Sequence, residues 1–372
     1  MDSEFEVAES PKPARSVDPR VTWWVAAAAL VLALSAAAAA AAAILNTHQD
    51  GSMTSRMGGM GMDGAAASHM APIPSSGVPD AAATVGATPL PHTVVGDTWV
   101  FRLVAKPVRW EIAPGVKITA WSYNGIVPGP TIRVPDGQKV RIEFRNDLPE
   151  PTTVHWHGID VPNAMDGVAD LTQPAVPPGA TFSYAFTARP AGRDTGSGGT
   201  FLYHSHTDED RQVGAGLSGA LIIDPPTSAP RYDVERIIAI QEWTLAGGET
   251  LPSMQMAGML PNWFTINGKS YPATETIRVR TGQRVLLRLI GAGQFEHPMH
   301  LHGTTFDVVA IDGHPLKVPI ERDVQPVSSG ERYDLAFVAP APGKWLFHCH
   351  IGHHMTNNGK APGGLQLVVE VT

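Results

Sequence analysis

The sequence predicts an all-β protein with two homologous β-sandwich domains, preceded by an apolar helix. Gly and Pro contribute 37 and 33 of the 372 residues, which favours many turns and short strands over long helices. Short runs of alternating polar and apolar residues, such as Val140-Arg-Ile-Glu-Phe144, are separated by turn signals such as Asn124-Gly125. This alternation is typical of the half-buried strands of a β-sandwich.

Composition narrows the possible functions. Charged residues make up only 17% of the chain and hydrophobic residues 43%, which argues against a disordered chain. The net charge is −8 and the predicted folded part has no basic tract, so no nucleic-acid partner is expected. Cys349 is the single cysteine, which excludes an intrachain disulfide.

The N-terminus has the pattern of a membrane anchor. Residues 1–20 are polar and include Lys12, Arg15 and Arg20, whereas residues 21–45 are apolar apart from Thr22 and Ser35. The apolar run exceeds the roughly 7–15 residues of a secretory signal core and reaches the roughly 20 needed to span a bilayer. The pattern predicts a transmembrane signal anchor over 21–45, with 1–20 cytoplasmic and the rest outside the cell membrane. Signal cleavage and secretion is the alternative, because Ala-x-Ala sites are present.

Residues 46–92 are rich in Gly, Ala, Ser, Pro and Met, which predicts a flexible linker. Thioethers suit Cu(I), so the linker is either a plain tether or a copper-binding segment. Its candidate ligands are Met53, Met57, Met60, Met62, His69 and Met70.

The rest of the chain contains an internal repeat. The block from Thr131 to Val140 recurs from Thr276, 145 positions later, and His155-Trp-His157-Gly recurs as His300-Leu-His302-Gly at the same offset. Gly199-Thr-Phe-Leu-Tyr-His-Ser-His206 recurs as Gly343-Lys-Trp-Leu-Phe-His-Cys-His350, 144 positions later. Matched blocks at one offset predict two homologous domains, over 93–228 and 229–372.

The histidines are the main functional signal. Four His-x-His pairs occur at matching places in the two copies: 155/157, 204/206, 300/302 and 348/350. Residues i and i+2 of a strand point to the same face, so each pair can present two imidazoles together. Eight such ligands predict a multinuclear metal site.

Cys349 lies between His348 and His350, so on a strand its side chain points to the opposite face and ligates a different metal. A thiolate with two imidazoles selects copper in a blue-copper arrangement. His297 and His354 are available as the two imidazoles, and the peptide between Cys349 and its neighbours offers an electron path. The first copy has Thr152, Ser205 and Asp210 at the corresponding positions, so it lacks this centre.

These motifs resemble the multicopper oxidases, the laccase-like family, over residues 93–372. The resemblance implies tandem cupredoxin-like Greek-key sandwiches, four coppers, and reduction of O₂ to water with electrons from a small substrate. It assigns the type 1 copper to His297, Cys349 and His354, and the type 2 copper to His155 and His300. It assigns the type 3 pair to six residues: His157, His204, His206, His302, His348 and His350.

Two features depart from the family pattern. The axial position five residues after the last type 1 histidine is Gly359, in a segment that looks inserted, so Leu365 is expected in the axial slot, with Met355 as the alternative. Most laccases have three such domains, whereas this chain has room for two. In the similar two-domain type, the trinuclear cluster forms between domain 1 of one subunit and domain 2 of the next, which predicts a homotrimer.

The resemblance also suggests catalytic residues beyond the ligands. Cys349 is expected to pass electrons and Asp166 to relay protons, although Asp166 is also typical of a turn before Gly167. Weaker candidates for proton supply are Asp208, Glu209 and Asp210.

The substrate stays open at this point. A phenol or a metal ion is expected to deliver electrons at His297 or His354, and His314 and His353 are expected at the surface or beside the ligands. A cuprous oxidase is the alternative, in which Met254, Met256, Met259 and Met299 would guide Cu(I), although methionines are also typical of core packing. A copper-storage protein would be expected to have lost ligands, and a copper nitrite reductase would need a cysteine at Ser205.

Overall fold

Strands dominate the chain in the computed structural model, which describes residues 70–192, 198–225, 231–254, 256 and 258–372. They form four sheets, two from strands that end by Asp224 and two from strands that begin at Val234. Helical structure in this part is limited to α1 (Glu209–Gln212) and two 3₁₀ turns, Asn163–Met165 and Gly352–Met355. The architecture confirms the predicted all-β fold.

The first half is a sandwich of two sheets. Its larger sheet contains β1 (His92–Val95), β2 (Thr98–Ala113), β3 (Val116–Tyr123), β5 (Lys139–Asn146) and β7 (Thr181–Thr187). Its smaller sheet contains β4 (Gly129–Pro135), β6 (His155–His157), β8 (Gly199–His204) and β9 (Ser218–Asp224). One buried core joins the two sheets, with Leu103 and Ile142 from one and Val134 and Leu221 from the other.

The second half repeats this arrangement. Its larger sheet contains β10 (Val234–Ala246), β11 (Glu249–Leu251), β12 (Trp263–Ile266), β14 (Arg284–Gly291), β16 (Phe306–Ile311), β17 (His314–Arg322) and β19 (Arg332–Val338). The other sheet contains β13 (Ile277–Val279), β15 (His297–Leu301), β18 (Val324–Val327), β20 (Gly343–Cys349) and β21 (Gln366–Val371). Each of the four sheets contains one parallel strand pair, which requires the crossovers typical of Greek-key sandwiches.

Core packing decides which way the histidines face. On β20, Phe347 and Cys349 are fully buried in the core of the second half. Burying one large apolar side chain contributes about 1.5–3 kcal/mol, so these residues fix the orientation of the strand. Because side chains alternate along a strand, His348 and His350 then face away from the core. Trp156, packed among buried aromatic rings, has the same effect on His155 and His157.

Polar and apolar contacts join the two halves. The Arg288 guanidinium lies 2.7 Å from a carboxylate oxygen of Asp334, and the Thr200 hydroxyl of the first half donates to the same carboxylate over 2.5 Å. A small apolar cluster combines residues of both halves: Leu202, Ala220, Ile222, Ala239, Ile290 and Ala292.

The C-terminal part of the predicted linker belongs to the folded body. Ile73 and Leu90 are buried in the core of the first half, and the Ile73 amide donates to the Thr250 carbonyl over 2.8 Å. Backbone hydrogen bonds also tie residues 81–90 to β2 and β4. The expectation of a flexible segment up to residue 92 is therefore wrong for 70–91, because these residues bury apolar side chains and pair their backbone. The predicted anchor, 21–45, lies outside the described residues, and within them no helix is long and apolar enough to cross a membrane.

Candidate metal centres

Four imidazoles of the first half form one group, here called the first half-site: His155, His157, His204 and His206. β6 and β8 are antiparallel neighbours, with His155 opposite His204 in register. Ligand nitrogens of His155, His157 and His204 lie within 4.8 Å of one another, and the His206 ring lies 5.2 Å from the His155 ring. This geometry brings together the four predicted ligands of the first copy.

Hydrogen bonds orient the imidazoles of the first half-site. Nδ1 of His155 donates to the Asp166 carbonyl and Nδ1 of His204 to the Ser205 carbonyl, each over 2.8 Å. Such a bond fixes the tautomer and leaves Nε2 bare for a metal. Nε2 of His204 and Nδ1 of His157 approach each other at 3.3 Å, so both nitrogens face one position where a metal could bind.

Burial keeps two of these imidazoles neutral. Desolvation lowers the pKa of His157 to about 4, and the cationic Arg332 nearby adds to the effect. Desolvation also lowers the pKa of His204 to about 3. Near neutral pH both rings are unprotonated, which is the form that binds a metal.

Four imidazoles of the second half form the second half-site: His300, His302, His348 and His350. Nδ1 of His300 donates to the Asp323 carbonyl over 2.6 Å, and Nδ1 of His348 to the Cys349 carbonyl over 2.8 Å. Nε2 of His302 and Nε2 of His348 lie 3.0 Å apart. The hydrogen bonds of the repeat-related pairs, His155 with His300 and His204 with His348, therefore match.

The two half-sites are separate within one chain. The first lines a cavity of about 230 Å³ whose other wall comes from Gly291–Gln294, Ser329 and Gly330 of the second half. Within the described part of the chain, no imidazole of the second half-site lines that cavity. His302 and His350 instead lie exposed on the surface. Each chain thus presents two four-histidine groups facing different surroundings.

The third group, here called the Cys–His group, consists of His297, Cys349 and His354. Cys349 Sγ lies 3.6 Å from Nδ1 of His354 and 4.0 Å from Nδ1 of His297, and all three residues are buried. The strands explain this placement, because His297 and Met299 point into the core from β15 while His300 points away. A soft sulfur with two converging imidazole nitrogens fits copper.

The protonation state of the Cys–His group also suits a metal. Burial raises the pKa of the Cys349 thiol to about 11, although the Ile351 amide donates to its sulfur. Desolvation lowers the pKa of His354 to about 3. The imidazole is therefore ready to bind at neutral pH, whereas the thiol must lose its proton when a metal binds.

Two residues beside the Cys–His group were missed by the sequence reasoning. Phe264 stacks on His354 with ring centroids 4.4 Å apart, and a carboxylate oxygen of Glu242 lies 2.5 Å from Nε2 of His297. The sequence carries a signal for Glu242, because it is an acidic residue between the apolar run Ile237–Ile240 and Trp243.

The structure describes the candidates for the axial position, Leu365 and Met355, and for the proton relay, Asp166. Leu365 is fully buried, its carbonyl accepts from the Cys349 amide over 3.0 Å, and its amide donates to the His354 carbonyl over 2.9 Å. Met355 is half-buried. A carboxylate oxygen of Asp166 lies 3.4 Å from Nδ1 of His155. The axial assignment and the catalytic roles of Asp166 and Cys349 stay predictions.

The other candidate residues have varied surroundings. Met299 is fully buried opposite Cys349, Met254 and Met259 are buried, and Met256 is 45% exposed. His353 is exposed and His314 is half-buried at the start of β17. The linker candidates other than Met70 lie outside the described residues.

Comparison with known proteins identifies the family. Two family profiles, both described as multicopper oxidase, match residues 105–228 and 246–360. The chain belongs to the multicopper oxidase family. This family binds four coppers and has a cupredoxin-like fold, and the three ligand groups fit copper sites.

Individual relatives agree with this assignment. Multicopper oxidase MmcO of Mycobacterium tuberculosis is 29% identical over 284 residues, which is 67% of this chain and 53% of the relative. Laccase-2 of Cryptococcus neoformans is 30% identical over 59% of this chain and 41% of its own length. The blue copper oxidase from Nitrosomonas europaea has 34% identity and a TM-score of 0.66, covering 73% of this chain and 85% of that one. The chain therefore spans about half or less of the length of these curated relatives.

Proposed function

We propose that this chain is a copper-dependent oxidoreductase that takes single electrons from a phenolic or metal-ion substrate and reduces O₂ to water. One observation carries the proposal: on β20, Cys349 points into the core, and the adjacent His348 points to the other face, where it belongs to the second half-site. One peptide thus links a site suited to one-electron transfer with a site suited to several coppers.

The chain's own residues define the electron path. When bound, copper supplies the one-electron chemistry and the reduction of O₂. Cys349 would hold type 1 copper with His297 and His354, and its backbone connects directly to His348 and His350. Since side chains alternate on β20, this path crosses the sheet within one residue.

We assign four ligands of the trinuclear site to each half-site. The resemblance to the family assigns the type 2 copper to His155 and His300, which are repeat-related and each donate through Nδ1 to a backbone carbonyl. The other three histidines of each half-site would hold the type 3 pair.

A homotrimer is proposed because the site is incomplete in one chain. The second half-site is exposed, and the first faces a cavity with no second-half histidine among its described lining. A head-to-tail contact would join the first half-site of one subunit to the second half-site of the next. Such contacts close into a ring when the rotation permits, and three subunits form the smallest ring beyond a pair.

Two carboxylates beside the first half-site are the candidates for supplying protons. Asp166 is half-buried and its carboxylate lies 3.4 Å from Nδ1 of His155, so it could carry protons between solvent and the first half-site. Glu209 lines the cavity and its carboxylate lies 3.0 Å from Nε2 of His206. We assign the relay to Asp166, because Glu209 contacts a nitrogen that His206 would use for copper.

Electrons would be accepted at His354. Its side chain is 8% exposed, whereas His297 is only 1% exposed and its outer nitrogen is covered by Glu242. A phenol or a metal ion reaching the exposed His353 would lie next to this edge of the site, because the His353 and His354 ring centroids are 6.2 Å apart.

Cu(I) is the second candidate substrate, favoured by the segment before β12. Met256 is 45% exposed there, and the Pro261 carbonyl of the same segment lies 3.3 Å from Nε2 of His353, next to His354. A thioether at this position could hold Cu(I) close to the type 1 site.

The cellular location is a separate proposal and rests on the sequence pattern of residues 1–45. We propose that 21–45 anchor the protein in the cell membrane with the copper domains on the extracytoplasmic side. Signal cleavage, followed by secretion, is the alternative. Fractionation of cells producing the full chain decides between them, because an uncleaved anchor keeps the oxidase in the membrane fraction after a salt wash.

Copper content and oxygen uptake test the oxidase proposal. The full chain loaded with copper is expected to bind four coppers per subunit, to be blue, and to consume O₂ with dimethoxyphenol or Cu(I). His302→Ala should abolish uptake and leave the blue colour, whereas His314→Ala, outside the three groups, should change neither. Faster uptake with Cu(I) than with the phenol, lost in Met256→Leu, would favour the cuprous oxidase. Full copper loading without uptake from either reductant would indicate a storage protein.

A further inference from the structure

Glu242 is a buried carboxylate in direct contact with the Cys–His group. Its side chain and that of His297 are each 1% exposed, and Oε1 lies 2.5 Å from Nε2 of His297. Burial of an acidic group is unfavourable unless partners compensate it, so the groups that contact Glu242 indicate its role.

The carboxylate has further partners in the loop that leads to His297. Oε2 accepts from the Gln294 amide over 2.9 Å, and Oε1 accepts from the Phe295 amide over 3.3 Å. Gly293 leaves room for it, because a Cβ at that position would lie 1.9 Å from Oε2. The carboxylate therefore holds in place both the loop before β15 and the imidazole of His297, the first residue of β15.

Strand register places Glu242 and Phe264 as a pair behind the two imidazoles. Glu242 on β10 is directly opposite Phe264 on β12, and opposite residues of antiparallel strands share a face. Glu242 contacts His297 while Phe264 stacks on His354. The two imidazoles of the site thus have different neighbours: His297 contacts a charged carboxylate, and His354 contacts an aromatic ring.

We infer that Glu242 is a positioning residue that fixes His297 with Nδ1 bare toward Cys349 and lowers the reduction potential of the copper bound there. Nε2–H of His297 donates to the carboxylate, which leaves Nδ1 as the only nitrogen with a free lone pair. A buried negative charge favours Cu(II) over Cu(I), because attraction to the more highly charged ion is greater in a poorly screened site. This inference rests on the proposed oxidase function, since it assumes type 1 copper at the Cys–His group.

The reduction potential tests the inference independently of turnover. Glu242→Gln keeps an oxygen acceptor for His297 and removes the charge, so the blue colour should persist while the potential rises above that of the wild type. The potential is measured by anaerobic redox titration of the copper-loaded full chain, followed through the thiolate–copper absorption band. Glu331→Gln is the matched control, because Glu331 also accepts a backbone amide, that of Ser328 over 2.9 Å, and has no contact with the Cys–His group.

A second variant keeps the inference testable if Glu242→Gln does not fold. Glu242→Asp retains the charge but is one methylene shorter, so it should reduce copper occupancy at the Cys–His group, seen as a weaker blue band per subunit. A Glu242→Gln potential equal to that of the wild type would overturn the inference and leave a structural role, as would an unchanged blue band in Glu242→Asp.

The outcomes for the inference and for the oxidase are distinguishable. Unchanged potentials in a protein that consumes O₂ would overturn only the role of Glu242. A raised potential in a blue protein that consumes no O₂ would support the role of Glu242 and overturn the oxidase. A wild-type protein with no thiolate–copper band would overturn both.

Discussion

The separation of the two half-sites allows a complementation experiment that tests how the trinuclear site is assembled. His157→Ala removes a ligand from the first half-site only, and His302→Ala removes one from the second only. Each variant alone should be inactive, because every trinuclear site in either homotrimer lacks a ligand. Neither substitution touches the Cys–His group, so both proteins should remain blue.

Mixed trimers should recover about a third of the wild-type activity. In a head-to-tail ring, each site combines the first half-site of one subunit with the second half-site of its neighbour. A mixed trimer contains two subunits of one variant and one of the other, so only one of its three contacts joins an intact first half-site to an intact second half-site. About one site in three is therefore complete, and its electrons come from the Cys349 of the subunit that supplies the second half-site.

The assay is oxygen uptake by the two variants produced together in one cell with different affinity tags. Sequential purification on both tags isolates mixed trimers, and native mass spectrometry confirms their composition. The two variants produced separately and mixed without subunit exchange are the control. If mixed trimers form and bind copper yet are as inactive as either variant alone, the proposed sharing of the site between subunits is wrong.

Three further predictions follow from the same geometry. Cys349→Ser should remove the blue band and one copper per subunit while the two half-sites keep their copper, as measured by absorption and metal analysis; retained blue colour would contradict the assignment. Without copper, the protein should lose stability as the pH falls below about 6.5, because His204 has a folded pKa of about 3 and the unfolded chain takes up the proton first. The expected loss from this residue is about 1.4 kcal/mol per pH unit, and urea unfolding should show a flatter pH dependence in His204→Asn. Asp334→Asn should cost about 3 kcal/mol by leaving the buried Arg288 with less compensation, whereas the control Glu370→Gln, which removes the partner of the exposed Arg278, should cost under about 1 kcal/mol, both measured by denaturant unfolding.

Much of the candidate site could be predicted from the sequence because local spacing determines it. In each of the four His-x-His pairs, the alternation of side chains along a strand is enough to predict that the two imidazoles share a face. The internal repeat then predicts that the two half-sites correspond to each other. The position of Cys349 between two histidines similarly indicated two metal sites on opposite faces of one strand. In the structure these residues do form three groups.

Other features depend on contacts between distant segments. Residues 70–91 have a linker-like composition, yet Ile73 and Leu90 pack into the first core, which no local pattern indicates. Glu242 contacts His297 from 55 positions away, and Phe264 reaches His354 only because β12 pairs with β10. Such contacts follow from sheet order and register, which the sequence pattern does not specify.

The sequence by itself determined the fold class, the duplication and the identity of the candidate metal-binding side chains, because periodicity and residue chemistry are local properties. Only the tertiary structure decided which imidazoles share a group, which of them donate Nδ1 to a backbone carbonyl and so leave Nε2 bare, and that the two half-sites are apart within one chain. Those properties depend on burial and on backbone carbonyls such as those of Asp166 and Asp323, which are supplied by segments remote from the histidines they orient.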